Sequence, residues 1–145
     1  MKWILLGAVL GGVGVGLGAF GAHGLDRYFV EKYASTAPKT IAGHSVPASW
    51  KYLQDYKTGV HYHLAHALAM IAVGLVSLQR PSRWLNAAGV LFLLGILLFS
   101  GSLYVLTIAG PDWLGVIWGL VAAVGGTMFL LGWAAFAVAA CPCHK

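Results

Sequence analysis

The chain has 145 residues, of which 59% are hydrophobic and only 9% charged, and its formal net charge is +5. A soluble domain carries about 25% charged residues, so a water-facing surface is excluded, and the length holds one all-α membrane domain over residues 1–145. The basic excess sits in loops and at the ends with no stripe of interleaved aromatics, which points away from nucleic acid and towards anionic lipid head groups.

A helix needs about 20 apolar residues to cross the hydrocarbon core. The first segment that qualifies runs from Trp3 to Leu25. Lys2, the apolar run and Ala19-Phe20-Gly21 imitate a cleavable signal peptide, but the run is long enough to span, and a retained helix is expected. Its glycines recur at spacings of four and three: Gly7, Gly11, Gly14 and Gly18, continued by Ala22 and widened by Gly12 and Gly16. Small faces let helix backbones approach closely in lipid, so this face is expected to pack against a neighbouring helix or a second copy of the chain.

Residues 26–58 form a long extramembrane connection that holds most of the charge. Pro38 to Pro47 reads as plain loop. Trp50 to Lys57 alternates aromatics and lysines as a short interfacial helix does. A second span runs from Gly59 to Leu78 and ends in the tight basic turn Arg80-Pro81-Ser82-Arg83. A third runs from Leu85 to Ala109, a turn follows at Gly110-Pro111-Asp112, and a fourth runs from Trp113 to Ala140. The expected fold is a four-helix transmembrane bundle. Gly115, Gly119, Ala122 and Gly126 form a small face on the fourth helix. Trp3, Trp84, Trp113 and Trp133 fit an interfacial aromatic belt. An even number of spans puts both termini on one side, and the basic turn at Arg80 and Arg83 assigns that side to the cytoplasm.

Within the spans the informative residues are polar. His23 closes the first helix, while His61, His63 and His66 open the second on the same membrane side. Ser100, Tyr104 and Thr107 follow the i, i+4, i+7 spacing of one helix face. At about 1.5 Å per residue, His66 and Tyr104 both lie roughly 8–11 Å inside that side. Tyr62 and His66 share a face, with His63 beside them, so His23, Tyr62, His63, His66, Ser100 and Tyr104 form the candidate ligand-binding cluster. Three readings stand. Neutral histidines can satisfy helix-end carbonyls and hydroxyls; the cluster can line a pocket for a small molecule, lipid or quinone; or His63 and His66 can hold a metal or haem. The cofactor is not specified by these residues. The tail Cys141-Pro142-Cys143-His144 lies at the opposite membrane face. Cys141 and Cys143 are too close in sequence for a useful disulfide and read as a solvated tail, a soft-metal pair or an acylation site. Ser100 and Ser102 have no carboxylate to orient a histidine beside them, and no glycine-rich phosphate loop is present, so enzymatic chemistry has no support.

Four motifs occur in order: Gly18-Ala19-Phe20-Gly21-Ala22-His23-Gly24-Leu25; Thr58-Gly59-Val60-His61-Tyr62-His63-Leu64-Ala65-His66-Ala67-Leu68; Leu98-Phe99-Ser100-Gly101-Ser102-Leu103-Tyr104; and Gly125-Gly126 with Gly132-Trp133. Together they resemble the YgdD/YwdK-type family of small bacterial inner-membrane proteins, a domain of unknown function with a related mitochondrial group. The resemblance covers nearly the whole chain. It implies four helices and a bacterial cytoplasmic membrane, and it places His23, Tyr62, His66, Ser100 and Tyr104 on family motifs without supplying an activity. The loop from Ser35 to Ser49 is longer than the family's, and Val124 stands where a proline is expected. The expected role is a non-enzymatic accessory or scaffold subunit of a larger membrane complex, with other membrane subunits or itself as partners. Ligand binding through the histidine cluster is the alternative, and oligomeric transport is a weaker one.

Overall fold

The computed structural model describes residues 1–110 and 115–141, with the side chains of His23 and Gly115 outside that description. The expected turn at Pro111-Asp112, the belt residue Trp113 and the tail residues Cys143 and His144 therefore lie outside the described residues. Helices α1 (Lys2–His23), α2 (Leu25–Lys32) and α3 (Ala48–Gln79) are followed by α4 (Arg83–Gly95) and, after a π-helical turn at Ile96–Ser100, by α5 (Gly101–Ala109) and α6 (Gly115–Ala140). Strands β1 (Lys39–Ile41) and β2 (His44–Val46) pair between α2 and α3.

Four helical stretches are long and apolar enough to cross a bilayer: Lys2–Ala22, Ala48–Gln79, Arg83–Ala109 and Val116–Ala140. The fold is the all-α membrane bundle expected from the sequence. α1 packs on α3, α3 on α4 and α5, and the α4–α5 rod on α6. This arrangement leaves α3 the most buried of the four spans and α1 the least. The main core joins Trp3, Met70, Val73, Leu85, Phe92, Ile96 and Phe129. Trp3 is a core residue lying flat against Gly89 of α4, which corrects its reading as a belt anchor.

The connection between the first two spans is more structured than its composition suggests. α1 stops at His23, and α2 leaves through Gly24, burying Leu25 and Phe29 one turn apart. The stretch read as plain loop is a two-stranded hairpin with Lys39 opposite Val46 and Ile41 opposite His44. Its turn residues Ala42 and Gly43 have φ of 49° and 82°, the left-handed pair that a two-residue hairpin needs to match strand twist. The expected interfacial helix is no separate element either. Residues 50–57 are the first turns of α3, which continues unbroken for 32 residues, about 48 Å. Thr58 does not break the helix because its hydroxyl turns back to the Gln54 carbonyl at 2.9 Å.

These turns and α2 build a second core of Leu25, Phe29, Tyr33, Ala48, Tyr52 and Tyr56. The cap solves a helix-end problem. The last carbonyls of α5 have no partner within the helix, and at a membrane boundary unpaired carbonyls are expensive. The Leu106 carbonyl accepts from the Gly110 backbone at 3.0 Å, the Thr107 carbonyl from the Tyr33 hydroxyl at 2.7 Å and the Ile108 carbonyl from the Tyr28 hydroxyl at 3.1 Å. The buried Tyr33 bond should be worth about 1 kcal/mol. Tyr33→Phe is expected to lower stability by that amount in a thermal melt of the detergent-solubilised protein, and an unchanged midpoint would show that the cap does not hold α5.

Candidate functional site

Hydroxyls inside membrane helices usually return to their own backbone. Ser77 donates to the Val73 carbonyl at 2.7 Å, Ser102 to Phe99 at 2.8 Å, Thr107 to Leu103 at 2.8 Å and Thr127 to Ala123 at 3.1 Å. Ser100 differs. Its side chain is fully buried and its hydroxyl has no hydrogen-bond partner among the described residues. Ser100 closes the π-helical turn, where the Gly101 amide reaches five residues back to the Ile96 carbonyl. The turn inserts one extra residue into the rod, a feature that recurs at functional sites.

α6 meets the turn backbone to backbone. A Cβ on Gly125 would overlap the Phe99 nitrogen and lie 2.8 Å from the Leu98 carbonyl carbon. The packing face of α6 runs through Ala122, Gly125, Phe129, Gly132 and Ala135, all buried. Among the described residues, a Cβ added at Gly119 would meet nothing within 4 Å, and one at Gly126 would meet the Phe99 ring at 3.8 Å. The face in contact is thus rotated from the expected line through Gly119 and Gly126, because the approach to the π-helical turn sets the register.

The α1 glycines divide in the same way. Cβ atoms added at Gly7, Gly14 and Gly18 would meet Ala67 and Ile71, Leu64, and Val60 of α3 at 2.7–3.2 Å. Cβ atoms added at Gly11, Gly12 and Gly16 would meet nothing within 4 Å among the described residues. With Ala8, the pair Gly12 and Gly16 forms an exposed stripe at four-residue spacing, flanked by exposed Leu5, Val9 and Val15.

α3 carries both buried histidines, and they turn to different neighbours. His63 sits between α1 and α5. Its ring lies 3.4 Å from the position of a Cβ on Gly14, and its Nδ1 is 3.3 Å from the Tyr104 hydroxyl. Its Nε2 is buried with no hydrogen-bond partner among the described residues. Gly59, one turn before His63, makes room for Tyr104, whose ring would lie 3.0 Å from a Cβ there.

His66 turns to α6. It stacks on Phe129 with ring centroids 3.5 Å apart, its Nδ1 is 2.8 Å from the Tyr62 carbonyl, and the Trp133 indole nitrogen donates to its Nε2 at 3.2 Å. A carbonyl only accepts and an indole N–H only donates. The two bonds together therefore require a neutral ring protonated at Nδ1, with both nitrogens engaged. A metal at His66 would displace one of these partners. Among the described residues no three of His, Cys, Asp and Glu converge on a common point, and Cys141 is exposed at the far end of α6.

The expected single cluster is thus laid out as two pairs, His63–Tyr104 and His66–Trp133. The Tyr62 ring packs on Phe99 and Phe129 with centroids at 4.8 Å and 6.0 Å, and Ser100 lies in the π-helical turn. Trp133 was the partner that sequence reasoning missed. The available signal was its position seven residues before the end of α6, too deep for a belt residue.

Residues 17–126 match the family described as "Protein of unknown function (DUF423)". The chain is 37% identical over 139 residues to the UPF0382 membrane protein YwdK of Bacillus subtilis, covering 95% of this chain and 94% of that one. It is 34% identical over 137 residues to the UPF0382 inner membrane protein YgdD of Escherichia coli, covering 94% and 87%. It is 35% identical over 136 residues to a UPF0382 membrane protein of Haemophilus influenzae, covering 94% and 90%. No solved structure matches the chain.

Proposed function

The chain belongs to the DUF423 family, and from that premise we propose that it is a non-enzymatic accessory subunit of a larger assembly in a bacterial cytoplasmic membrane. The observation that carries this reading is the outer face of α1, where Ala8, Gly12 and Gly16 lie open on the least buried span. Glycine costs a helix about 1 kcal/mol relative to alanine. At Gly7 and Gly14 the close approach of α3 accounts for that cost; at Gly12 and Gly16 nothing among the described residues does. A second transmembrane helix packed against the stripe would use it. The polar groups at membrane depth favour the same reading, since His66 is committed to internal bonds. The termini face the cytoplasm in this proposal, with Arg80 and Arg83 in the short turn on that side.

The test is gentle solubilisation of native membranes. The wild type should co-purify with a defined complex, and Gly12→Leu combined with Gly16→Leu should abolish co-purification. The isolated variant should melt no lower than wild type, because the substitutions relieve the propensity cost of glycine and touch no described neighbour. Recovery of the wild type as a lone monomer would overturn the proposal.

A further inference from the structure

On the cap side of the bundle a cavity of about 370 Å³ opens between β1, α3 and α5, lined by Lys39, Ile41, Lys51, Tyr52, Asp55 and Leu106. Successive residues of a strand point to opposite faces. Lys39 and Ile41 are half-buried, while Thr40 between them is exposed and also borders the cavity. Leu106 lies three residues before the end of α5, about 4.5 Å along the helix axis. With Ala109 as the end of the third span, the floor of the cavity falls at the edge of the hydrocarbon and its charged wall in the head-group layer.

The charges in this wall do not balance. Asp55 is taken by Lys51, one turn away on α3, with both side chains largely withdrawn from solvent. Glu31 is taken by Arg27 on α2. Lys39 is half-buried and has no ion-pair partner among the described residues. A half-buried lysine that lines one cavity with a second lysine calls for an anion, and the cavity carries two cations against one carboxylate. At this depth the anion that a bilayer supplies is the lipid phosphodiester. Ile41 and Leu106 give its glycerol and first acyl carbons an apolar bed, which a free phosphate ion would not use.

We infer that this cavity is a head-group site for one anionic phospholipid, with its phosphate beside Lys39 and Lys51 and its acyl chains leaving past Leu106. A net charge of minus one matches the unbalanced cation. A zwitterionic lipid brings its own positive group and does not match.

The test uses the full chain in phosphatidylcholine nanodiscs, with phosphatidylglycerol titrated in and lipid retention read by native mass spectrometry. The wild type should retain one phosphatidylglycerol in preference to phosphatidylcholine. Removing one lysine charge near a membrane surface is worth about 1 kcal/mol, or about fivefold in affinity, and Lys39→Gln should weaken retention by that factor. Lys39→Arg, which keeps the charge, should retain the lipid. Lys57→Gln should also retain it, because Lys57 is exposed on the same membrane side but does not line the cavity. Equal retention of the two lipids, or loss in Lys39→Arg or Lys57→Gln as large as in Lys39→Gln, would overturn the inference. Competition by millimolar inorganic phosphate would also overturn it, by showing a site for a free anion.

Discussion

Gly125→Ala is expected to destabilise the bundle strongly, although it adds a single methyl group in a helix. In a solvated helix the same change gains about 1 kcal/mol in propensity. Here the new Cβ would overlap the Phe99 nitrogen, with the Leu98 carbonyl carbon at 2.8 Å. Both are backbone atoms of the π-helical turn, so no rotamer change relieves the clash. Either α6 moves off the α4–α5 rod along its length, or the turn rearranges. Overpacking of a rigid contact costs about 1–3 kcal/mol or more. The displaced interface includes Phe129 on Gly95 and Gly132 on Phe92, which raises the expected loss to the upper end of that range. Gly119→Ala is the matched control, since a Cβ there would meet nothing within 4 Å among the described residues, and it should leave the midpoint unchanged or slightly raised. Thermal melts of the two variants in the same detergent decide the matter. Equal midpoints would mean that α6 does not pack on the π-helical turn through Gly125.

The contrast between Gly125 and Gly119 also marks how far the sequence is legible. Length and hydropathy locate the spans because crossing a bilayer demands a continuous apolar run, whatever the neighbours do. The choice of packing face is not local. α1 has glycine on two sides, and only the arrival of Val60, Leu64 and Ile71 from α3 decides that Gly7, Gly14 and Gly18 are the inner set. On α6 the register depends on the π-helical turn, and one inserted residue displaces the side chains beyond it by roughly 100° about the axis. Gly95 and Gly101 flank the turn, but glycine is common in membrane helices and does not by itself signal an insertion.

The extramembrane segment was hidden for different reasons. Each strand of the hairpin has only three residues, too few for alternation to stand out. Its turn carries Ala42 where asparagine or aspartate would advertise a left-handed residue. α2 has eight residues, and its Leu25 and Phe29 stripe acquires meaning only once Tyr52 and Tyr56 stand opposite. In the histidine region, spacing placed His66 and Tyr104 at one depth with His63 beside His66, and the structure has His63 and Tyr104 in contact. Spacing could not show that His66 turns away from them to α6. That direction follows from the angle between helices, which a single sequence does not encode locally.

His66→Ala is expected to destabilise the bundle strongly while leaving metal content and absorption spectrum unchanged. The substitution removes a ring that is 5% exposed and stacked on Phe129 at 3.5 Å. The resulting void alone costs about 2–4 kcal/mol. It also strips the Trp133 indole of its acceptor, and an interhelical hydrogen bond of this kind is worth about 0.6–2 kcal/mol in a membrane protein. Trp133→Phe should cost only the hydrogen bond and a little area, because Trp133 is 47% exposed. If the two residues act through each other, the double variant should be less destabilised than the sum of the single variants by about the value of that bond. His66→Phe separates packing from polarity: it keeps the stack on Phe129 and loses both hydrogen bonds, so its midpoint should fall between wild type and His66→Ala. Elemental analysis and absorption spectra of the same preparations supply the decisive comparison. A stoichiometric metal or a haem band present in the wild type and lost in His66→Ala would mean that the ring is a ligand and that the indole bond yields to a cofactor. Unchanged spectra with a lowered midpoint would assign His66 to holding α6 against α3, the arrangement that leaves the outer face of α1 for a partner.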